Sequence, residues 1–281
     1  MSPSAADHVL AMMRVQRGAL AAHEPGTRRG TDPEELHRMR KAARQLRATI
    51  RAVRPMLGAE FGPLPRELRW LGTVLGTVRD VDVLLEHLRA EIGTLDGADA
   101  RAVGRILARL EIERTRARAG AQAALASRRY VRLRQGLRDA LRRPRFVEED
   151  VSLVDVAQRQ FKKLRKAVYA LPDPPSSRQL HAVRIRVKRA RYAAELARAT
   201  AGRRARRFID QAITLQDILG EHQDAAVAEQ RLRRLLGTAG GGRGSVGQRL
   251  LERQRGRRRA AWTAFQDQWP KVERRGRKAW A

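Results

Sequence analysis

Apolar residues recur every three to four positions along almost the whole chain, the spacing that lines one face of an α-helix. No segment alternates apolar and polar residues in the manner of a half-buried strand. The period predicts helices at about 5–22, 33–54, 65–92, 98–126, 128–142, 151–170, 177–200, 203–236 and 246–268. The punctuation agrees with these bounds. In "TDPEE", Asp32 is a cap, Pro33 occupies the first helical position and acids fill the first turn, where they complement the helix dipole. Ser176 and Ser177 stand in a similar place before a later helix, and "GTAGGGRGSVG" (237–247) reads as a flexible link. "RRPRFVEED" (142–150) is the expected boundary between two halves.

The halves share a pattern. Leu36-His37 and Leu180-His181 stand 144 positions apart, and so do "LGTVRDVDV" (75–83) and "LGEHQDAAV" (219–227). Two segments more than forty residues apart, sharing one offset, point to an internal duplication. Upstream, Arg14 and Arg17 match Lys162 and Arg165 at an offset of 148, as expected if "HEPGTRRGTDPE" is a loop four residues longer than "LPDPPSSR". The expected fold is all-α: two antiparallel four-helix bundles related by a pseudo-twofold, forming one domain (1–281) from repeats 1–147 and 148–281.

Charge changes the picture from architecture to chemistry. The chain carries 60 Lys+Arg against 30 Asp+Glu, a formal charge of +30. Such an excess opposes compaction and points to a polyanionic partner. Residues 1–150 hold 29 basic and 19 acidic side chains, and residues 151–281 hold 31 and 11, so both halves are basic. Only seven of the basic residues are Lys. Arginine suits bidentate phosphate contacts, but Arg-favouring codon usage explains the ratio equally well. Cysteine is absent, which excludes disulfide frameworks and thiolate zinc sites. The first twenty residues lack a basic segment followed by an apolar core, and no uncharged run approaches a membrane span. A cytoplasmic protein is expected.

The charge has a shape. On the helix predicted at 33–54, His37, Arg40, Arg44, Arg47, Arg51 and Arg54 fall within a band about 100° wide, opposite Met39, Ala42, Ala43, Leu46, Ile50 and Val53. His181, Arg184, Lys188 and Arg191 take the same angles in the second copy, before Glu195 interrupts the band. A solvated face ordinarily mixes signs so that i,i+4 pairs support it. Residues 36–59 contain no acid at all. The band is therefore expected to bind an anion, and a pseudo-twofold would bring both bands to one surface.

The paired histidines are candidate donors to phosphate, and a phosphate beside them would favour the imidazolium, strengthening binding in mild acid. A metal site completed by Asp80 and Asp224 is a weaker alternative, because no tight His/Asp spacing supports it. Gly72, Gly76 and Asp80 share one helix face, as do Gly220 and Asp224. Small residues allow close helix approach, and the aspartates are expected to hold a stripe arginine in place.

In "LHRMRKAARQLR" with "LHAVRIRVKRARY", and "LGTVRDVDVLLEHL" with "LGEHQDAAV", the chain resembles the CHAD family of histidine-headed α-helical repeats over essentially its full length. The resemblance implies two pseudo-symmetric four-helix bundles and binding of inorganic polyphosphate on a basic surface, in some members on polyphosphate granules. It implies ligand roles for His37, Arg40, Arg44 and Arg47, and for His181, Arg184, Lys188 and Arg191. Lys41, Arg189 and Tyr192 flank the motif as accessories, and Arg14, Arg17, Arg51, Lys162, Arg165 and Lys166 are further possible contacts. Asp82 departs from the repeat, since its counterpart is Ala226. Catalysis is not implied, because the E-x-E-x-K signature of the triphosphate-hydrolysing domain often fused to the family is missing.

The leading expectation is a non-enzymatic polyphosphate binder needing no cofactor and no metal. Nonspecific duplex nucleic-acid binding is the alternative, although 4% aromatic content disfavours single-strand stacking platforms. A polyphosphate hydrolase or kinase would need a phosphate-binding loop or a carboxylate cluster, and neither motif is present.

Overall fold

The computed structural model describes residues 4–92, 97–147, 152–238 and 245–280. It divides into two compact units, Met1–Val151 and Ser152–Ala281. Their described residues are almost entirely helical. The expected flexible link at 237–247 falls largely outside the described residues.

In the first unit, α1 (Ala5–Ala22) starts at a capping box in which Ser4 and Asp7 satisfy each other's backbone. A short α2 (Glu24–Arg29) leads to α3 (Pro33–Ala52), where Asp32 accepts from the Glu34 amide at 2.8 Å. Two 3₁₀ turns, Arg54–Met56 and Ala59–Phe61, connect it to α4 (Leu64–Ile92). Then follow α5 (Gly97–Ala126) and α6 (Arg128–Arg142), the latter capped by Ser127. Packing runs α1 on α3, α3 on α4 and α4 on α5. The apolar face expected on α3 is the one buried: Met39, Ala43, Leu46, Ile50 and Val53 are fully shielded.

The second unit opens with α7 (Leu153–Tyr169), capped by Ser152. Next comes α8 (Ser177–Thr238), broken at Gly202 (φ 55°, ψ −135°) into arms at 177–201 and 203–238. Only glycine enters that backbone region readily, so the break falls where the sequence predicts two helices. α9 (Ser245–Trp280) packs on α8, and α7 does so as well. Phe161, Phe208 and Trp280 form an edge-to-face chain, with centroids 5.5 and 5.8 Å apart, at its core. The order of elements therefore repeats: α1 with α7, α3 and α4 with the two arms of α8, and α5–α6 with α9.

Two expectations need correction. The segment 23–34 is not merely a loop, because Glu24 nucleates α2 from the interior. Its carboxylate accepts from the buried Tyr130 hydroxyl at 2.8 Å and from Arg28 and Arg134, and Gly30 ends the helix with φ 70°. The last helix also does not stop at 268 but continues through Pro270 to Trp280. Pro270 removes the donor to the Gln266 carbonyl, yet both residues lie on the exposed side, where water can serve that carbonyl. Burial of Trp269, Val272 and Trp280 outweighs the lost bond.

Candidate functional site

The stripe on α3 meets α4 in a trough of about 340 Å³ lined by Arg40, Arg44, Arg47 and Arg69, with Gly72, Gly76 and Asp80 among its other walls. Packing fixes the arginine stems: α3 buries its apolar face, and the stripe emerges along the edge where α4 passes. Gly76 gives Arg40 room. A methyl group in its place would lie 3.2 Å from Arg40 Nη2, so the bare backbone is the bed on which that guanidinium rests. Asp80 Oδ1 stands 3.8 Å from the same nitrogen, at the edge of ion-pair range. Arg44 Nε is a buried donor with no acceptor among the protein atoms.

His37 is half-buried at the head of the stripe, and its Nδ1 likewise has no protein partner. Burial, then the field of Arg79, lowers its pKa; Arg44 and Arg40 add to this and Glu34 opposes it. Protonation in mild acid is therefore resisted at His37 until an anion neutralises those arginines. Lys41 and Arg51 are exposed on the same helix. Arg14 is tied to the Leu141 carbonyl at 3.2 Å, and Arg17 is half-buried on α1. The structure thus gathers Arg40, Arg44 and Arg47 around one trough and leaves Arg14 and Arg17 outside its lining.

The second unit repeats part of this geometry. Arg184 lies against Gly220, where a methyl group would sit 3.5 Å from its Nη2. That pair stands 144 positions beyond Arg40 and Gly76. Lys188 is half-buried and Arg189 exposed on the same arm of α8, and Asp224 is exposed on the other. Three expected contacts, Arg191, Tyr192 and Arg165, are engaged within the protein. Arg191 is buried, donates to Glu195 at 2.6 Å and covers the ring of buried Tyr192 at 4.4 Å. Both side chains serve the interior, and the second stripe is shorter than the first. Arg165 is held by Glu273 at 2.9 Å, while Lys162 and Lys166 stay exposed on α7. His181 is exposed; its Nδ1 donates to Gln223 Oε1 at 2.9 Å.

Sequence reasoning missed Arg69. It sits three, seven and eleven positions before Gly72, Gly76 and Asp80, so helical spacing alone puts it on that face. Sequence reasoning also took the C-terminal arginines for a diffuse attractor. In the structure they are ordered partners of acids: Arg255 and Arg258 hold Glu229, Arg257 holds Glu221, and Arg277 holds Glu273. Among the described residues no group of three or more His, Cys, Asp or Glu could hold a metal ion. None of the helices described is long and apolar enough to cross a membrane.

Comparison with known proteins places this geometry. The model of the CHAD domain matches residues 11–233. The chain belongs to the CHAD family. The CHAD domain from the plant Ricinus communis superposes with a TM-score of 0.74 at 25% identity, covering 94% of this chain and 91% of that one. PptA from Streptomyces chartreusis gives 0.77 over 96% of this chain and all of its own; at 21% identity it speaks for the CHAD fold alone. Two Mycobacterium tuberculosis proteins, MT2285 of strain CDC 1551 and Rv2226 of strain H37Rv, are 32% identical over 213 residues. Those residues are 71% of this chain but 40% of either relative, so the CHAD chain spans less than half the length of these relatives.

Proposed function

We propose that the chain binds inorganic polyphosphate on its basic stripes and does not turn it over. The observation that carries this reading is the trough in which Arg40, Arg44, Arg47 and Arg69 converge beside Gly76 and Asp80. Four guanidinium groups along one groove match a repeating row of phosphate oxygens, each contact being a charge-assisted hydrogen bond with counterion release. Membership of the CHAD family supports the choice of anion, since some members bind polyphosphate-related ligands. Arg184 and Lys188 supply the second stripe, so a long chain reaching both gains avidity that a short oligophosphate lacks. Association with polyphosphate granules in the cytoplasm would follow from this affinity.

The charge of +30 favours one other reading, nonspecific binding of duplex nucleic acid. Titration of long-chain polyphosphate, tripolyphosphate and duplex DNA at physiological salt, with released phosphate measured in the same samples, separates the two. Tightest binding of long polyphosphate with no phosphate release is expected. Equal affinity for DNA would refute the proposal, and released phosphate would establish an enzyme instead.

A further inference from the structure

The two units differ at the corner beside the paired histidines. In the first unit Asp82 is buried there, accepting from Arg114 Nε at 2.8 Å with Arg118 at 3.8 Å. Together with α2 it closes the corner, leaving a void of only about 10 Å³. The second unit has no counterpart of α2, and Ala226 stands where the repeat puts Asp82. A cavity of about 460 Å³ is open there, lined among others by Arg178, His181, Gln223, Arg233 and Arg258.

The charge changes with the shape. Four acids of the first corner, Glu34, Asp82, Glu86 and Glu111, are replaced 144 positions on by Arg178, Ala226, Gln230 and Arg255. Two arginines are lost in exchange, Arg79 to Gln223 and Arg118 to Trp262, and two acids are gained, Glu229 at the place of Leu85 and Glu252. Across these positions and the retained arginine pairs (Arg89 with Arg233, Arg114 with Arg258), the first corner has four bases and four acids. The second has four bases and two acids, Glu229 and Glu252, the latter on Arg255 at 3.2 Å, a net change from zero to +2. Glu229 is wholly engaged, accepting from Arg233 at 2.6 Å, Arg255 at 3.2 Å and Arg258 at 2.7 Å. It orders those guanidinium groups without cancelling them. The amides of Gln223 and Gln230 add neutral donors to the cavity lining.

We propose that this corner of the second unit is a separate site for a compact condensed phosphate, of the diphosphate class, distinct from the stripe trough. Arginines converging on one cavity from both arms of α8 and from α9 (Arg178, Arg233, Arg258) suit a small polyvalent anion, whereas the row of Arg40, Arg44 and Arg47 along α3 suits an extended one. The inference goes beyond the stripe reading and does not rest on it.

Calorimetric titration of the whole chain with inorganic diphosphate at about 0.15 M salt tests it. Wild type is expected to bind saturably, one per chain. Ala226→Asp restores the carboxylate of the first unit, and is expected to weaken diphosphate binding by at least about tenfold through like-charge repulsion and occlusion. The same variant should keep long-chain polyphosphate affinity within about twofold, and Arg44→Gln with Arg47→Gln should do the reverse. Helicity of each variant is followed by circular dichroism. If Ala226→Asp unfolds, Arg178→Gln with Arg258→Gln decides, since Glu229 keeps Arg233 and Arg255. Absence of diphosphate binding, or its loss in the trough variant but not in the corner variants, overturns the proposal while leaving the stripe reading intact.

Discussion

The trough makes a quantitative commitment through its salt dependence. Arg40, Arg44, Arg47 and Arg69 line it, and Asp80 at 3.8 Å offsets part of Arg40. About three to four phosphates are therefore neutralised in the first unit. With the coefficient of about 0.7 per phosphate found for single strands, the trough alone contributes about −2 to −3 to the slope of log affinity against log salt. Raising salt from about 50 to 200 mM then lowers affinity by at least about 20- to 50-fold. Arg44→Gln keeps the stem that packs beside α4 but removes the charge. It should take about 0.7 off the slope. It should also cost about 1.5–2 kcal/mol, the lower part of the range for a hydrogen bond to a charged group, because Arg44 is only half-buried.

That cost is a loss of about 10- to 30-fold in affinity at fixed salt. The control is Arg66→Gln, on the same α4 but outside the trough, where the side chain is 80% exposed and pairs with its neighbour Glu67. Fluorescence anisotropy of end-labelled long-chain polyphosphate, repeated across the salt range, reads both quantities. If Arg44→Gln and Arg66→Gln shift the slope equally, the charge of the chain acts as a diffuse field and the trough is not the site. A wild-type slope near zero would refute it as directly.

Three further outcomes concern the scaffold. Burial, with Arg258 nearby, lowers the pKa of His222 from 6.5 to about 4. The unfolded chain then takes up a proton that the fold refuses, so stability is lost as pH falls from 6.5 towards 4, by about 2 kcal/mol at pH 5. His222→Val, the residue at the matched position 78, should flatten the melting temperature between pH 7.5 and 5; an unchanged pH dependence would dismiss the role of His222, although His37 acts in the same direction. At Gly202 a methyl group would meet nothing within 4 Å, so Gly202→Ala isolates the backbone strain and should destabilise by about 1–3 kcal/mol in urea unfolding; no loss would place the kink elsewhere. Tyr130→Phe leaves buried Glu24 short of one donor and should cost about 1–2 kcal/mol, with an unchanged thermal midpoint as the contrary result.

Much of this was legible because it is local. The cap at Asp32, the apolar face of α3 and the stripe opposite it follow from neighbours within a few residues. What escaped depends on partners far along the chain. Nothing near Glu24 announces a helix, since its hydroxyl donor is Tyr130, on α6. Nothing near Pro270 announces its tolerance, since the compensating burial joins Trp280 to Phe208. Arg191 holds the stripe angle, but Glu195 one turn later and the Tyr192 ring draw it inward. The interruption by Glu195 was visible in the sequence, while the burial that gave it meaning was not.

Net charge alone does not choose a binding face; the placement of the acids does. Arginines on α9 are matched to Glu221, Glu229, Glu252 and Glu273, and those on α4 and α5 to Asp82 and Glu111. These pairs join side chains of packed helices or of neighbouring turns of one helix, so they order the arginines in the scaffold. Along α3 the only acids are Glu34 and Glu35 in the first turn, one paired with Arg38 and the other with His23. From Leu36 to Ala59 there is none, and the carboxylate 3.8 Å from Arg40, that of Asp80, comes from α4. Stacked guanidinium groups at helical spacing repel one another, and a sequence that withholds acids from that one face keeps the repulsion for a ligand to relieve. The same logic separates the two corners, where withdrawing acids at positions 178, 226, 230 and 255 leaves arginines ordered by Glu229 but not neutralised by it.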